Sequence, residues 1–261
     1  MNLYTKESLI ASLKDIKARG WIPSLRPANA GGIGNTLEDL LGIRENNLPL
    51  PNAAEWELKC QRAGSSSLTT LFHLEPSPRA LRFVPNILLP RYGWSHQEAG
   101  LHYASSELSF RQTIHGLHRS DRGFMIDVDR DNRKVLVSFA AAAVHSRHYQ
   151  WLESVELRAG LGELSPQPYW GFDDLSHKAG VKLLNTFYVE AQVKRLEGVE
   201  SFHYNRILIL RGFHVDSFIN ALVQGAVLVD FDARSGHNHG TKFRLRRNAL
   251  VQLYSDIEEI V

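Results

Sequence analysis

Apolar residues recur along the chain with two periods. Leu9, Leu13 and Ile16 stand at i, i+4 and i+7 and predict an amphipathic helix that Gly20 closes. Residues 36–41 (TLEDLL) predict a second helix, with Asn35 or Thr36 as its cap and Gly42 at its end, which puts Glu38 in the first turn. Residues 55–60 read as a strand, and a second strand runs from Leu68 to His73 before Pro76. The Pro-rich residues 76–90 read as a connection. Alternation on both sides of Arg130-Asp131-Asn132 predicts a hairpin over 124–139. Residues 174–195 read as one long helix and 207–213 as a buried strand. The run SFINALVQGAVLVDFDARSG then predicts a helix, a stop at Gly225 and another strand, and residues 240–256 mix strand and helix. Interleaved helices and short strands, with no internal repeat, argue an α/β or α+β fold.

The totals narrow the class. At 261 residues, the chain can bury a core as one large domain or two lobes. Apolar content of 43% and charged content of 22% are ordinary for a soluble globular protein. Net charge is +2 with a pI near 8.7, so the placement of Arg and Lys matters more than their sum. Cys60 is the only cysteine, which excludes an intrachain disulfide and a cysteine-rich zinc site. Residues 1–20 lack the apolar stretch of a signal peptide, and no run approaches a membrane span, so the expectation is a cytoplasmic protein.

Candidate chemistry centres on Glu57-Leu58-Lys59. On a strand, Glu57 and Lys59 share one face and Leu58 takes the other. A carboxylate there can hold Mg²⁺, which prefers oxygen ligands, and an ammonium can orient a water or stabilise charge on a phosphate. With a second acid nearby, the pair makes a metal-assisted phosphodiester hydrolysis site. Taken alone, E-x-K on many exposed strands is a solvated ion pair worth roughly 0–1 kcal/mol.

Its neighbours add specificity. GGIGNTLEDLLGI, Pro51-Asn52, EWELK, SSSLTTLFH and RSGHNHGTKFR follow one another in an order that resembles the MvaI/BcnI family of type II restriction endonucleases, relatives of the mismatch-repair nicking enzyme MutH. The resemblance extends from about residue 28 to residue 247. It implies a PD-(D/E)XK restriction-endonuclease-like fold, a mixed β-sheet flanked by helices, with two lobes forming a DNA cleft. By position, Pro51-Asn52 matches the PD element and Glu57-Leu58-Lys59 the (D/E)XK element, while Glu38 matches a helix glutamate used near the metal. The resemblance then makes Glu57 a Mg²⁺ ligand, the Leu58 carbonyl a further ligand, and Lys59 the residue that positions the attacking water.

Asn52 departs from the family pattern. An amide oxygen can ligate a divalent ion but brings no charge, so the expectation is weakened metal binding and weakened cleavage. An engineered substitution, a naturally impaired enzyme and replacement by Glu55 are the readings left open.

For DNA contact, the sequence offers a basic C-terminal segment with Arg234, His237, Asn238, His239, Lys242 and Arg244. Arginine is the usual bidentate reader of guanine in the major groove. The two histidines could instead be metal ligands or exposed loop residues. By resemblance, this loop lies against DNA, and His73 matches a histidine that approaches the centre of the recognised site; the alternative for His73 is a satisfied core residue. Arg62 and Ser66, after the candidate catalytic strand, suit phosphate contacts. The stretch 111–122 reads as a basic surface helix. Lys178, Lys182, Lys194 and Arg195 lie along the predicted long helix, where some can touch phosphate.

The expected function is Mg²⁺-dependent, sequence-specific hydrolysis of double-stranded DNA at a short GC-rich near-palindrome. The family implies a monomer, and a cognate DNA methyltransferase in the same system that is not a physical partner. The alternatives are a catalytically silent DNA-binding protein, which Asn52 keeps open, and a MutH-like repair nickase. The expected lobes are a catalytic one over 1–94 and 174–213 and a recognition one over 95–173 and 214–261.

Overall fold

Period-two alternation dominates the tertiary structure. The computed structural model describes residues 4–26, 31–43, 55–247 and 249–261. Pro51 and Asn52 lie outside the described residues. In chain order the first elements are α1 (Lys6–Ala18), β1 (Ile22–Pro23), α2 (Gly32–Leu40), β2 (Glu57–Arg62), β3 (Thr69–His73), α3 (Leu89–Tyr92), β4 (Trp94–Ser95) and β5 (Leu108–Ile114). Next come β6 (Arg122–Asp129), β7 (Lys134–Val144), α4 (Tyr149–Ala159), β8 (Tyr169–Gly171), α5 (Phe172–Leu183), β9 (Asn185–Leu196) and β10 (Val199–Phe213). The chain ends with α6 (Val215–Val223), β11 (Val227–Arg234), β12 (His237–Asn238), β13 (Lys242–Leu245) and β14 (Tyr254–Ile260). The fold is a mixed α+β architecture of several sheets flanked by helices.

Two compact units divide the chain. One takes residues up to 69, 178–217 and 250 onward; the other takes 70–177 and 218–249. The sequence places the first cut near 94 and leaves the C-terminal strand with the other lobe. The difference at the C-terminus has a simple cause: β14 pairs antiparallel with β10, Ile260 opposite Ile207 and Tyr254 opposite Phe213, and so belongs to the first unit's sheet.

In the first unit the strand order is β1-β10-β9-β2, with β14 also on β10. β2 runs parallel to β9, and β10 runs antiparallel to it. One face of this sheet is apolar: Leu58 of β2, Phe187, Val189 and Ala191 of β9, and Phe202, Tyr204, Ile207 and Ile209 of β10. The parity of β10 changes between Tyr204 and Arg206, where the ladder with β9 shifts register. That bulge keeps Tyr204 and Ile207 on the same face. Leu9, Leu13 and Ile16 of α1 and Ile33 and Leu37 of α2 join the same cluster. The Tyr204 hydroxyl donates to the Ile33 carbonyl at 2.8 Å, tying α2 to the sheet. Phe187 is fully buried and meets Trp56 edge-on at 4.9 Å between ring centroids. Phe187→Ala should therefore lower stability by about 3–5 kcal/mol, read as a shift of the denaturant midpoint; a loss under about 1 kcal/mol would show that Phe187 is not part of a packed core.

In the second unit, a sheet in the order β3-β13-β11-β5-β4 and a smaller one in the order β6-β7-β8 carry the core. On β11, Val229, Phe231 and Ala233 are buried, whereas Asp230, Asp232 and Arg234 on the alternate face are partly exposed.

Three sequence expectations change. The predicted helix over 174–195 ends at Leu183, and residues 185–196 are strand β9. The run Thr186-Phe187-Tyr188-Val189 is β-branched and aromatic, and its alternate residues fill the core. The basic stretch 111–122 is not a helix: it contains the end of β5 and leads into β6, with Phe110 and Ile114 buried. The second helix begins at Gly32 rather than at Asn35 or Thr36. Gly32 allows this, because a Cβ there would sit 3.3 Å from both the Arg26 carbonyl and the Ser24 hydroxyl. Thr36 is buried inside the helix and accepts a hydrogen bond from the Leu25 amide at 3.1 Å.

Candidate active site

The face of β2 opposite the apolar cluster is polar, although Leu208 and Leu210 of β10 are buried on that side of the sheet. Alternation puts Glu57, Lys59 and Gln61 of β2 there, in register with Thr186, Tyr188 and Glu190 of the parallel neighbour β9. Glu57 is only 1% exposed. Lys59 Nζ lies 2.6 Å from Glu57 Oε1, and Lys182 Nζ, in the last turn of α5, lies 3.0 Å from Oε2. Oε2 makes no hydrogen bond of its own, so its contact with Lys182 is an ion pair. Neighbouring polar side chains on this face bond to one another. Tyr188 donates its hydroxyl to Gln61 Oε1 at 2.6 Å, and Thr186 and Tyr254 share a hydrogen bond of 2.7 Å. Burial pushes the Tyr254 hydroxyl well above the usual phenol range; the Thr186 bond opposes that and the nearby Glu57 charge adds to it.

A buried carboxylate oxygen with an open lone pair is a suitable donor for a hard divalent cation. Among the described residues no three His, Cys, Asp or Glu side chains cluster to hold a metal. Mg²⁺ does not require such a cage: it binds through one or two carboxylates and leaves its other positions to water and substrate phosphate. The donors around Glu57 fit Mg²⁺ in that sense.

The remaining candidates of this unit fall in different places. The Leu58 side chain enters the apolar cluster on the other face. Glu38, half-buried on α2, is close enough to Cys60 for its charge to act on that thiol, and Cys60 alternates onto the Leu58 side of β2. Burial is the main reason the Cys60 thiol is pushed up. Arg62 is committed to a two-pronged ion pair with Glu200, its Nη2 lying 2.8 Å from Oε2. That pair holds the Glu200 carboxyl below the usual range and raises the guanidinium. Ser66 is exposed in the turn after β2, where Ser65 and Ser67 bond to each other. Lys194 and Arg195 lie on β9, not on a helix.

In the second unit, the basic segment folds as the end of β11, a tight turn with β12, and β13. His237 and His239 are exposed and meet edge-to-face at 4.2 Å between ring centroids. Asn238 Oδ1 accepts the Gly240 amide at 3.0 Å, and Glu75 accepts the Thr241 amide at 2.8 Å and its hydroxyl at 3.1 Å. Glu75 thus pins the turn. Gly240 has φ +84, and a Cβ on it would stand 3.4 Å from the His73 ring. His73 is exposed at the end of β3 beside this turn, which excludes the core alternative.

The polar face of β5, β11 and β13 is laced with ion pairs. Asp232 takes Arg111 at 2.6 Å and Lys242 at 3.2 Å; Asp230 takes Arg244 at 3.1 Å and the Thr113 hydroxyl at 2.8 Å. Arg234 pairs with Glu107 at 3.1 Å and lies 4.6 Å from the Tyr103 ring centroid. Burial alone would raise the Asp232 carboxyl, but Arg111 and Lys242 together hold it below the usual range. Sequence reasoning named the cations of this face but not the carboxylates that order them. The signal was the alternation of Asp230, Asp232 and Arg234 along one strand.

A family model for the MvaI/BcnI restriction endonuclease family matches residues 10–254. The solved complex of restriction endonuclease MvaI with its cognate DNA substrate superposes with a TM-score of 0.77 at 23% identity, covering 99% of this chain and 100% of that one. The structure of MvaI in the absence of DNA gives a TM-score of 0.56 at 24% identity, covering all of both chains. No curated protein matches the chain.

Proposed function

The chain belongs to the MvaI/BcnI restriction endonuclease family, and from that premise we propose that it is a Mg²⁺-dependent enzyme that hydrolyses double-stranded DNA at a short GC-rich site. The observation that carries this reading is the buried Glu57 carboxylate with Lys59 beside it at 2.6 Å and an oxygen left without a hydrogen bond. Glu57 would hold the cation, with the Leu58 carbonyl and position 52 as further oxygen donors. Mg²⁺ held there would supply Lewis-acid polarisation of the scissile phosphate and offset its charge. Lys59 holds the attacking water and then stabilises the negative charge that develops on the phosphate oxygens. Burial of Glu57 strengthens these interactions, because charges act more strongly where water is excluded. Glu38, whose charge acts on Cys60 on the Leu58 side of β2, is given no part in this chemistry.

The second unit supplies the reading surface. Its four cations, Arg111, Arg234, Lys242 and Arg244, face three carboxylates, Glu107, Asp230 and Asp232. A nearly neutral face with fixed donors and acceptors suits hydrogen-bond readout of base edges better than unselective attraction to phosphate. His73, His237, Asn238 and His239 extend it. Arg244→Ala should cost about 1–3 kcal/mol of discrimination between the cognate site and a single-base variant. Competition binding with the two duplexes measures this; an unchanged ratio would remove Arg244 from the reading surface.

Asn52 favours a second reading, a DNA-binding protein without catalysis. Plasmid cleavage in Mg²⁺, for the chain as given and for Asn52→Asp, separates the two. Cleavage at a defined site by either form, without partner proteins, supports the endonuclease and speaks against a partner-dependent nickase. Absence of cleavage by both forms would leave the binding protein.

A further inference from the structure

Lys182 has no place in the chemistry described above, yet its ammonium lies on the one carboxylate that chemistry needs. Glu57 is almost wholly buried, and a single ammonium would neutralise it; Lys59, two residues along the same strand, already does so. The second ammonium approaches the other oxygen, the one that makes no hydrogen bond. Its side chain is itself only 16% exposed, so it is packed into the site and not draped over it from solvent. It comes from the last turn of α5, where the partial negative charge of the helix end favours a cation. The result is a buried carboxylate with an ammonium on each of its oxygens.

Resting on the metal-site reading of Glu57, we infer that Lys182 is a built-in counter-ion that occupies the cation position of the free protein and yields it when DNA binds. A divalent ion ligated by Oε2 at about 2.1 Å would stand close beside an ammonium that lies 3.0 Å from the same atom. The two positive charges also repel. Metal entry is therefore favoured by Lys182 moving away, and its flexible stem can carry the ammonium to another anion. A DNA phosphate is that anion. Metal and DNA then favour each other's binding, each by the same factor. The free protein stays metal-poor, and the site assembles only on the duplex.

The test is Mn²⁺ binding to the DNA-free protein, followed by the electron paramagnetic resonance of the unbound ion. The forms compared are the chain as given, Lys182→Met, Lys182→Arg and Glu57→Gln. Even at the dielectric constant of water, a unit charge this close to a divalent ion is worth a factor of about ten or more. Lys182→Met should tighten Mn²⁺ binding by at least that factor, whereas Lys182→Arg should leave it as weak as in the unmodified chain. With Ca²⁺ present, Lys182→Met should also reduce the salt dependence of DNA binding by about one phosphate contact. If Lys182→Met does not fold, Lys182→Gln makes the same neutral substitution. Unchanged or weaker Mn²⁺ affinity in the neutral variants overturns the assignment of Lys182. Mn²⁺ affinity that survives Glu57→Gln instead overturns the metal-site reading on which it rests.

Discussion

Glu57→Gln is expected to reduce DNA cleavage by on the order of 100-fold or more while leaving DNA binding intact. Losing even the outer hydrogen-bond partners of a metal ligand typically costs about 10–100-fold, and a ligand's own charge should count for at least as much. Gln fills the same volume, so the 1%-exposed position stays packed. What disappears is the negative charge between Lys59 and Lys182. Stripping the anion from a buried ion pair leaves uncompensated cations, a destabilising change. Here both lysines retain some exposure, 14% and 16%, so solvent relieves part of that cost. If the proposed site lies beside a phosphate, removing this carboxylate should tighten binding in EDTA. Single-turnover cleavage in Mg²⁺ and gel shift in EDTA measure the two quantities. Cleavage at the parental rate would mean that Glu57 is a structural ion-pair partner and the catalytic centre lies elsewhere.

The second large effect concerns position 52, which the proposed site uses as an oxygen donor and where Asn stands. Asn52→Asp is expected to raise the Mg²⁺-dependent cleavage rate by about 10–100-fold or more. Asp restores a charged oxygen donor with almost no change in size, and Mg²⁺ depends on such charge to offset the cost of losing water ligands. The gain should be largest at low Mg²⁺, where occupancy limits the rate, and should shrink as Mg²⁺ rises. Equal rates for the two forms across a Mg²⁺ titration would remove position 52 from the site. The Glu57→Gln result does not prejudge this one, because the two substitutions act on different donors and in opposite directions.

Parts of this architecture are legible in the amino-acid order because they depend on local periodicity. Alternation alone sends Leu58 into the apolar cluster and sets Glu57 beside Lys59, as the 2.6 Å contact records. The stripe of Leu9, Leu13 and Ile16 becomes the buried side of α1 for the same reason. Where local signals compete, the order of residues is ambiguous. Residues 185–196 carry enough charge and helix-forming residues to extend the preceding helix, yet they form β9, because a strand lets Phe187, Val189 and Ala191 enter one core together. The glycines at 32 and 34 lie ahead of the predicted cap and instead form the first turn of α2, which packs close to Ser24 and Arg26.

By itself, the sequence determined the two periods, the strand that carries the acid–lysine pair, and the kinship that the family match bears out. Only the tertiary structure decided which distant groups meet them. Lys182 stands more than a hundred residues from Glu57 and reaches it because α5 delivers its last turn beside β2's partner strand. Arg62 faces Glu200, and Asp232 gathers Arg111 and Lys242, through pairings of the same kind. Local periodicity fixes the face on which a side chain lies, but its partner is set by which strands lie side by side, and that follows from burying the whole apolar surface at once.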